Sequence, residues 1–353
     1  MIRSIHDRGL PDAEPTPLYE PRHRGRRSRI VIRAFANDGG RLRTVEGALE
    51  SATSIVWIDL LNPTADEEAE VERVFSVKVP SREDMEEIEV SSRLYKENGT
   101  AFMTAMLTAQ TDREDHALGP VSFVLTAAGL VTVRHLDPRV FQTFPVRAAK
   151  SALGCASGEG VLLALLEGTI DRIADILERA GRDIEGISRS IFRRPSSKPT
   201  QSKDLQSVFE SIGRKGDLIS DIRDCLVTLE RLIGFFNQIL MQTANTDDNR
   251  ERIGTLTRDT HSLADHAGFL SQKITFLVDA TLGMINIEQN AIIKIFSVAA
   301  VVFLPPTLIA SIYGMNFAHM PELGWPYGYP LAIGLMIASA VLPYWFFKRR
   351  GWL

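Results

Sequence analysis

The pattern of apolar and polar positions changes three times along the chain. Residues 1–28 are rich in Arg and Pro and show no period, so they read as a disordered basic tail. Its closing cluster (Arg22, Arg24, Arg26, Arg27, Arg29) has the charge to touch anionic lipid. From 29 to 150 short β-rich runs set in: Arg29–Phe35, Ser54–Leu60, Ala101–Gln110, Val121–Gly129 and Leu130–Leu136. Between the second and third, Thr64 followed by Glu67 is the spacing of a capping box and predicts an amphipathic helix over Pro63–Phe75. From 151 to 249 the strands stop. A helix is predicted over Val161–Arg193, a polar loop follows, and a second helix runs over Leu205–Gln242. A third begins near Arg250 and meets no proline before Pro305, so it should run unbroken for about 60 residues, or about 90 Å.

Two stripes run along this third helix. Ile253, Leu256, Thr260, Leu263, Ala267, Leu270, Ile274, Leu277, Thr281 and Met284 recur alternately three and four apart, a heptad seam that demands neighbouring helices. Those neighbours are expected to be both the two preceding helices and other subunits. A second stripe starts on a different face: Asn286, Asn290, Ile293, Ser297, Ala300, Leu304, Thr307 and Ser311. Amides and hydroxyls interleaved with apolar positions suit either a helix–helix interface or a water-filled path. One chain supplies one such helix, so a pore requires a symmetric ring of several chains.

Composition alone suggests a soluble protein: 353 residues, 44% hydrophobic, 24% charged, net charge -4. The average hides a segregation. Between Lys294 and Lys348 the only formal charge is Glu322. Two apolar runs fill this gap, residues 295–313 and 328–347, each about 30 Å long as a helix and flanked by Tyr and Trp. They read as transmembrane helices joined by the loop 314–327. Lys294 precedes them and Lys348, Arg349 and Arg350 open the tail 348–353, while the loop has no Lys or Arg. The positive-inside rule then puts both ends in the cytoplasm. No apolar h-region opens the chain, so no signal peptide is expected. The acidic total gives no reason to expect nucleic acid, and two cysteines, Cys155 and Cys225, form no disulfide framework. No charged ring lines the second stripe. A mostly hydrated ion handled by neutral oxygens fits such a path, and Mg²⁺ sheds water reluctantly.

The first apolar run closes on Tyr313-Gly314-Met315-Asn316, and Met320-Pro321-Glu322-Leu323 follows. With FSVAAVVFLPPTLIASIYGMNF before it and the ending YWFFKRRGWL, residues 279–353 closely resemble the CorA family of divalent-cation channels and transporters. The resemblance implies an α+β cytoplasmic domain, a stalk helix (250–294) and two C-terminal transmembrane helices, assembled as a funnel-shaped homopentamer in a bacterial inner membrane. It implies passive Mg²⁺ uptake, often with Co²⁺ or Ni²⁺, and no enzymatic activity or catalytic cofactor. On the family pattern Gly314, Met315 and Asn316 form the selectivity filter, and Glu322 is the carboxylate left at the outer mouth. The loop lacks a second acid, Ala318 and His319 standing in that stretch. The family's pore positions fall at Asn290, Ile293, Ser297 (or Phe296), Leu304, Thr307 and Ser311, with Ile293 and Leu304 as hydrophobic constrictions. Lys294 would belong to a basic collar outside the pore.

The family is gated by intracellular Mg²⁺ that bridges carboxylates between subunits. Candidates here are Asp112, Glu114 and Asp115 in a turn and Asp259, Asp265 and Asp279 on the stalk, each also readable as a solvated side chain. The stretch 59–97, with 12 carboxylates against 5 basic residues, is a solvated face or a cation sensor. Two other readings compete. A Zn²⁺-transporting relative would favour His and Cys ligands, which the stripe lacks. A membrane-anchored enzyme or scaffold would have no need of a polar register, and the chain has no H-E-x-x-H, Walker or G-x-S-x-G motif.

Overall fold

The computed structural model describes residues 31–45, 54–111, 116–192, 202–242, 247–315 and 320–351. The basic tail expected at 1–28 lies outside them. The first half is a seven-stranded mixed sheet: β1 (Val31–Asp38), β2 (Arg41–Val45), β3 (Ile55–Leu61), β4 (Leu94–Glu97), β5 (Thr100–Ala109), β6 (Ala117–Leu125) and β7 (Leu130–Arg134). The order across the sheet is β2-β1-β3-β7-β6-β5-β4. Only β3 and β7 run parallel. Helices α1 (Ala65–Phe75), α2 (Arg82–Glu86) and α3 (Val90–Arg93) come from the connection between β3 and β4.

Strand alternation divides the sheet between two cores. Met103, Ala105 and Leu107 of β5 and Val121 and Phe123 of β6 join Trp57 and the later helices on one side. Phe102 and Val124 point the other way, to Val71 and Phe75 of α1 and Met85 of α2. The capping box is formed: Thr64 accepts from the Glu67 backbone N–H and the Glu67 carboxylate accepts from the Thr64 backbone N–H. The strand expected over Val121–Gly129 starts earlier and ends at Leu125, because Thr126 to Gly129 form a turn held by the Thr126 hydroxyl. Helix α4 (Arg139–Lys150) packs Phe141 and Phe144 against Trp57.

On the Trp57 side of the sheet lies a buried ionic network. Arg134 of β7 grips Asp59 of β3 through two parallel hydrogen bonds of 2.9 Å, and both side chains are fully buried. Thr132 donates to the same carboxylate at 2.9 Å, Trp57 Nε1 donates to Thr132, and Arg33 of the neighbouring β1 also donates to Asp59. Arg134 also donates to Asp137 and to the Leu136 carbonyl, which fixes the turn into α4. Burial opposes its charge, but the bonds and charge of Asp59 and Asp137 outweigh that and hold its pKa above the ordinary arginine value.

Three long helices follow: α5 (Gly158–Phe192), α6 (Ser202–Gln242) and α7 (Asp247–Tyr313). Helix α5 starts against the sheet at a place only glycine tolerates, since a Cβ on Gly158 would stand 2.6 Å from the Gly129 carbonyl carbon. Arg252 of α7 forks Glu167 of α5 at 2.9 and 2.8 Å. Further along, Lys273 meets Glu185 and Phe276 stacks on Phe192, so α5 and α7 run in the same direction. Helix α6 returns between them. Along the ten-residue seam of α7 every side chain is buried or half-buried, from Ile253 to Met284. The seam's neighbours within one chain are therefore α5 and α6. Helix α7 has 67 residues, about 100 Å, and continues through Pro305 and Pro306. Helix α8 (Gly328–Arg349) packs against its last third.

Replacing Arg134 with Leu leaves the Asp59 carboxylate buried without its main partner, a loss on the order of 3 kcal/mol. Thermal melting of the detergent-solubilised protein should show a fall of several degrees for Arg134→Leu and little change for Gln142→Ala, whose side chain is at the surface.

Candidate ion pathway

Helices α7 and α8 are long and apolar enough to cross a membrane. Within the apolar part of α7 two faces can be told apart. Val298 is buried, and Val302, Pro305, Pro306, Ile309 and Tyr313 are half-buried, on the side that carries α8. The stripe of Asn286, Asn290, Ile293, Ser297, Ala300, Leu304, Thr307 and Ser311 is exposed at every position. At about 100° per residue its mean direction lies roughly 170° from the α8 side. The amides and hydroxyls thus sit where the chain's own second span cannot reach them. Thr307 turns its hydroxyl back to the Phe303 carbonyl at 2.8 Å, which satisfies its proton and leaves its oxygen outward. Phe296 lies on the shoulder of the stripe and is also exposed.

At the C-terminal end of α7 the Gly314 N–H donates to the Ala310 carbonyl at 2.9 Å, and the Met315 N–H reaches Ile312 at 3.3 Å. The helix therefore closes on a tightened last turn. Gly314 is not left-handed; its lack of a side chain matters because a Cβ would stand 3.1 Å from the Ala310 oxygen. Met315 is exposed, and Asn316 lies outside the described residues. Glu322 falls in a short 3-10 turn, Pro321–Gly324. Trp325 and Tyr327 pack edge to face beside it. At the far end of α8, Arg349 lies over Trp345 at 5.0 Å and Arg350 over Phe346 at 5.3 Å, basic and aromatic groups paired as at a membrane boundary.

The stalk aspartates are spread out. Asp259, Asp265 and Asp279 are all exposed on α7, and Asp265 stands 3.9 Å from His261. Among the described residues no three His, Cys, Asp or Glu side chains converge as a metal site. Asp112, Glu114 and Asp115 lie outside the described residues, but Thr111 and His116 on either side line a cavity whose other walls include Arg179, Arg182, Arg214 and Lys215.

An acidic cleft of about 340 Å³ between α5 and α7 was not anticipated. Glu167, Asp171, Asp248, Glu251 and Asp259 line it, with Arg252 across the floor. Burial first, then the charges of Glu167, Asp175 and Asp259, push the Asp171 carboxyl above the usual range, against the pull of Arg147. The i, i+4 pair Glu167/Asp171 was visible in the sequence; its pairing with residues 80 positions later was not.

A sheet-and-helix body, a long helix that carries one polar face into an apolar stretch, and one further apolar helix define a membrane protein with two candidate spans. The family model described as "CorA-like Mg2+ transporter protein" matches residues 52–349, and the chain belongs to that family. It is 37% identical over 325 residues to the magnesium transport protein CorA of Mannheimia succiniciproducens, covering 92% of this chain and all of that protein. In fold it is similar to the complete CorA magnesium transporter of Methanocaldococcus jannaschii, with TM-score 0.66, 18% identity, and coverage of 92% and 99% of the two chains. The cytoplasmic domain of ZntB from Vibrio parahaemolyticus shares the fold at TM-score 0.53 and 11% identity, over 73% of this chain and 98% of that one.

If the stripe faces its copies in other chains, Thr307→Cys or Ser311→Cys should give disulfide-linked dimers on mild oxidation of membranes, and Val302→Cys should stay monomeric on a non-reducing gel. The native thiols should be silent: burial pushes Cys155 up to about 11 and Cys225 up to about 12.

Proposed function

We propose that the chain is one subunit of a Mg²⁺ channel, a funnel-shaped homopentamer in the bacterial inner membrane with both termini in the cytoplasm. The observation that carries this reading is the polar stripe of α7, exposed along its whole length and opposite the side that α8 covers. Arranged in a ring with α8 outward, five copies turn Asn290, Ser297, Thr307 and Ser311 toward one axis. Amide and hydroxyl oxygens there contact the water shell of the ion rather than replacing it, the cheaper route for a cation that dehydrates reluctantly. Ile293 and Leu304 are the rings that close the path by excluding water. Gly314, Met315 and Asn316 form the filter at the outer end, and Glu322 concentrates cations before it.

The membrane potential drives entry, about 4.6 kcal/mol for a divalent ion across 100 mV. Co²⁺ and Ni²⁺ have similar shells and are the further passengers the same filter would accept. Zn²⁺ is disfavoured, since no His or Cys stands on the stripe. Feedback comes from Mg²⁺ held between neighbouring stalks, with Asp259, Asp265 and Asp279 as the ligands. Asp112, Glu114 and Asp115, between Thr111 and His116 in the chain, are the further candidate ligands.

Two variants test this in proteoliposomes loaded with a Mg²⁺-sensitive dye. Asn316→Ala should abolish influx while cross-linking still gives the wild-type oligomer; retained influx would remove the filter from the account. Asp259→Asn, Asp265→Asn and Asp279→Asn combined should leave influx running at millimolar internal Mg²⁺, and unchanged closure would exclude these ligands.

A further inference from the structure

The end of α8 gathers cations that no carboxylate neutralises. Lys348, Arg349 and Arg350 are all exposed, and among the described residues none of them pairs with an acid. From Lys294 to Gly351 the chain has one acid, Glu322, in the turn before α8 and about 30 Å from its far end. Trp352 and Leu353 add no acidic side chain. Lys294, also exposed, stands at the same level as Lys348, since Lys294 to Tyr313 and Gly328 to Lys348 each rise about 30 Å along packed helices. The two arginines are held in place. Arg349 lies over the Trp345 ring at 5.0 Å and Arg350 over the Phe346 ring at 5.3 Å, each turned back along the helix by one turn. The rings take the faces of the guanidinium groups and leave their in-plane N–H donors free. The last carbonyls of α8 do not use these donors, because the Arg350 and Gly351 N–H groups cap Phe346 and Lys348.

We propose that this end of α8 binds an anionic phospholipid, with its phosphate in the forks of Arg349 and Arg350 and its acyl chains along Trp345 and Phe346. Both rings are more than half exposed. Ala332, Met336, Pro343 and Phe347 form the covered side of α8, and Trp345 lies roughly 170° from it. An occupant must therefore offer anionic oxygens to the forks and cover apolar surface one turn deeper. A free phosphate does the first and leaves the rings bare. A zwitterionic lipid does the second and brings a cation of its own among four others. An anionic phospholipid does both, its paired oxygens matching a guanidinium edge. Lys294 and Lys348 add point charges at the same depth. The site needs α8 to end at a bilayer boundary, and it holds or fails separately from the pore and from the ion carried.

The full chain in dioleoyl phosphatidylcholine vesicles tests this, with spin-labelled phosphatidylglycerol or spin-labelled phosphatidylcholine as the probe. The motionally restricted fraction in the electron spin resonance spectrum reports the lipid held at the protein. Phosphatidylglycerol should be preferred about threefold or more at low salt, in line with the attraction of a juxtamembrane basic cluster. Glycerol phosphate in the buffer should not displace it. Arg349→Gln with Arg350→Gln should bring the two lipids close to equality. Trp345→Leu with Phe346→Leu keeps every charge and stays apolar, so insertion is retained, and the preference should fall about twofold as the forks lose their hold. Arg258→Gln, an exposed arginine about 50 Å from Lys294 along α7, should leave the preference unchanged. Equal restriction of both lipids in the wild type, displacement by glycerol phosphate, wild-type preference in either double variant, or an equal loss in Arg258→Gln would each overturn the proposal.

Discussion

A polar group in hydrocarbon must find a partner, and among the described residues no other helix of the chain supplies one to the row of amides and hydroxyls on α7; Thr307 alone turns back to its own helix. Helix α8 covers the opposite side. Water or other copies of the same row are what can meet it. A ring of chains supplies both at once: the rows converge, water fills the axis, and α8 separates them from lipid. On the proposed reading, the ring and the pore both answer that one constraint. The absence of charge along the row then selects an ion that keeps its shell.

The same helix reaches the sheet-and-helix body without a break. Its seam is sealed by α5 and α6, and its first turns are locked to α5 through the Arg252–Glu167 fork. The body itself is pinned by Asp59 and Arg134 across the parallel pair of strands. From Asp259 to Leu304 the helix has no proline, so the first place able to kink is the Pro305-Pro306 pair, two to three turns before Gly314.

Much of this was legible before any coordinates. The capping box at Thr64, the seam and the second stripe depend on local spacing, and local spacing survives folding. Other elements were hidden. Helix α4 carries Pro145 inside it, and its Phe141 and Phe144 reveal themselves only against Trp57. The edge strands β2 and β4 are short and mostly polar, although Gly39-Gly40 and Asn98-Gly99 mark their hairpin turns. Pro120 delayed the expected start of β6. It is accommodated because β7 pairs only with Val121–Leu125, leaving the stretch before it with one neighbour. The acidic cleft and the basic cavity join residues from different long helices, and no periodicity in one helix announces its partner.

Thiol block of transport is the measurement that bears most directly on the solvated face. Ser297→Cys protein in proteoliposomes should conduct Mg²⁺, and a bulky, charged methanethiosulfonate should then stop influx. Val298→Cys, one residue on and buried toward α8, should be unaffected, as should the wild type with its two buried thiols. Influx that persists in labelled Ser297→Cys, or block confined to Val298→Cys, would contradict the account.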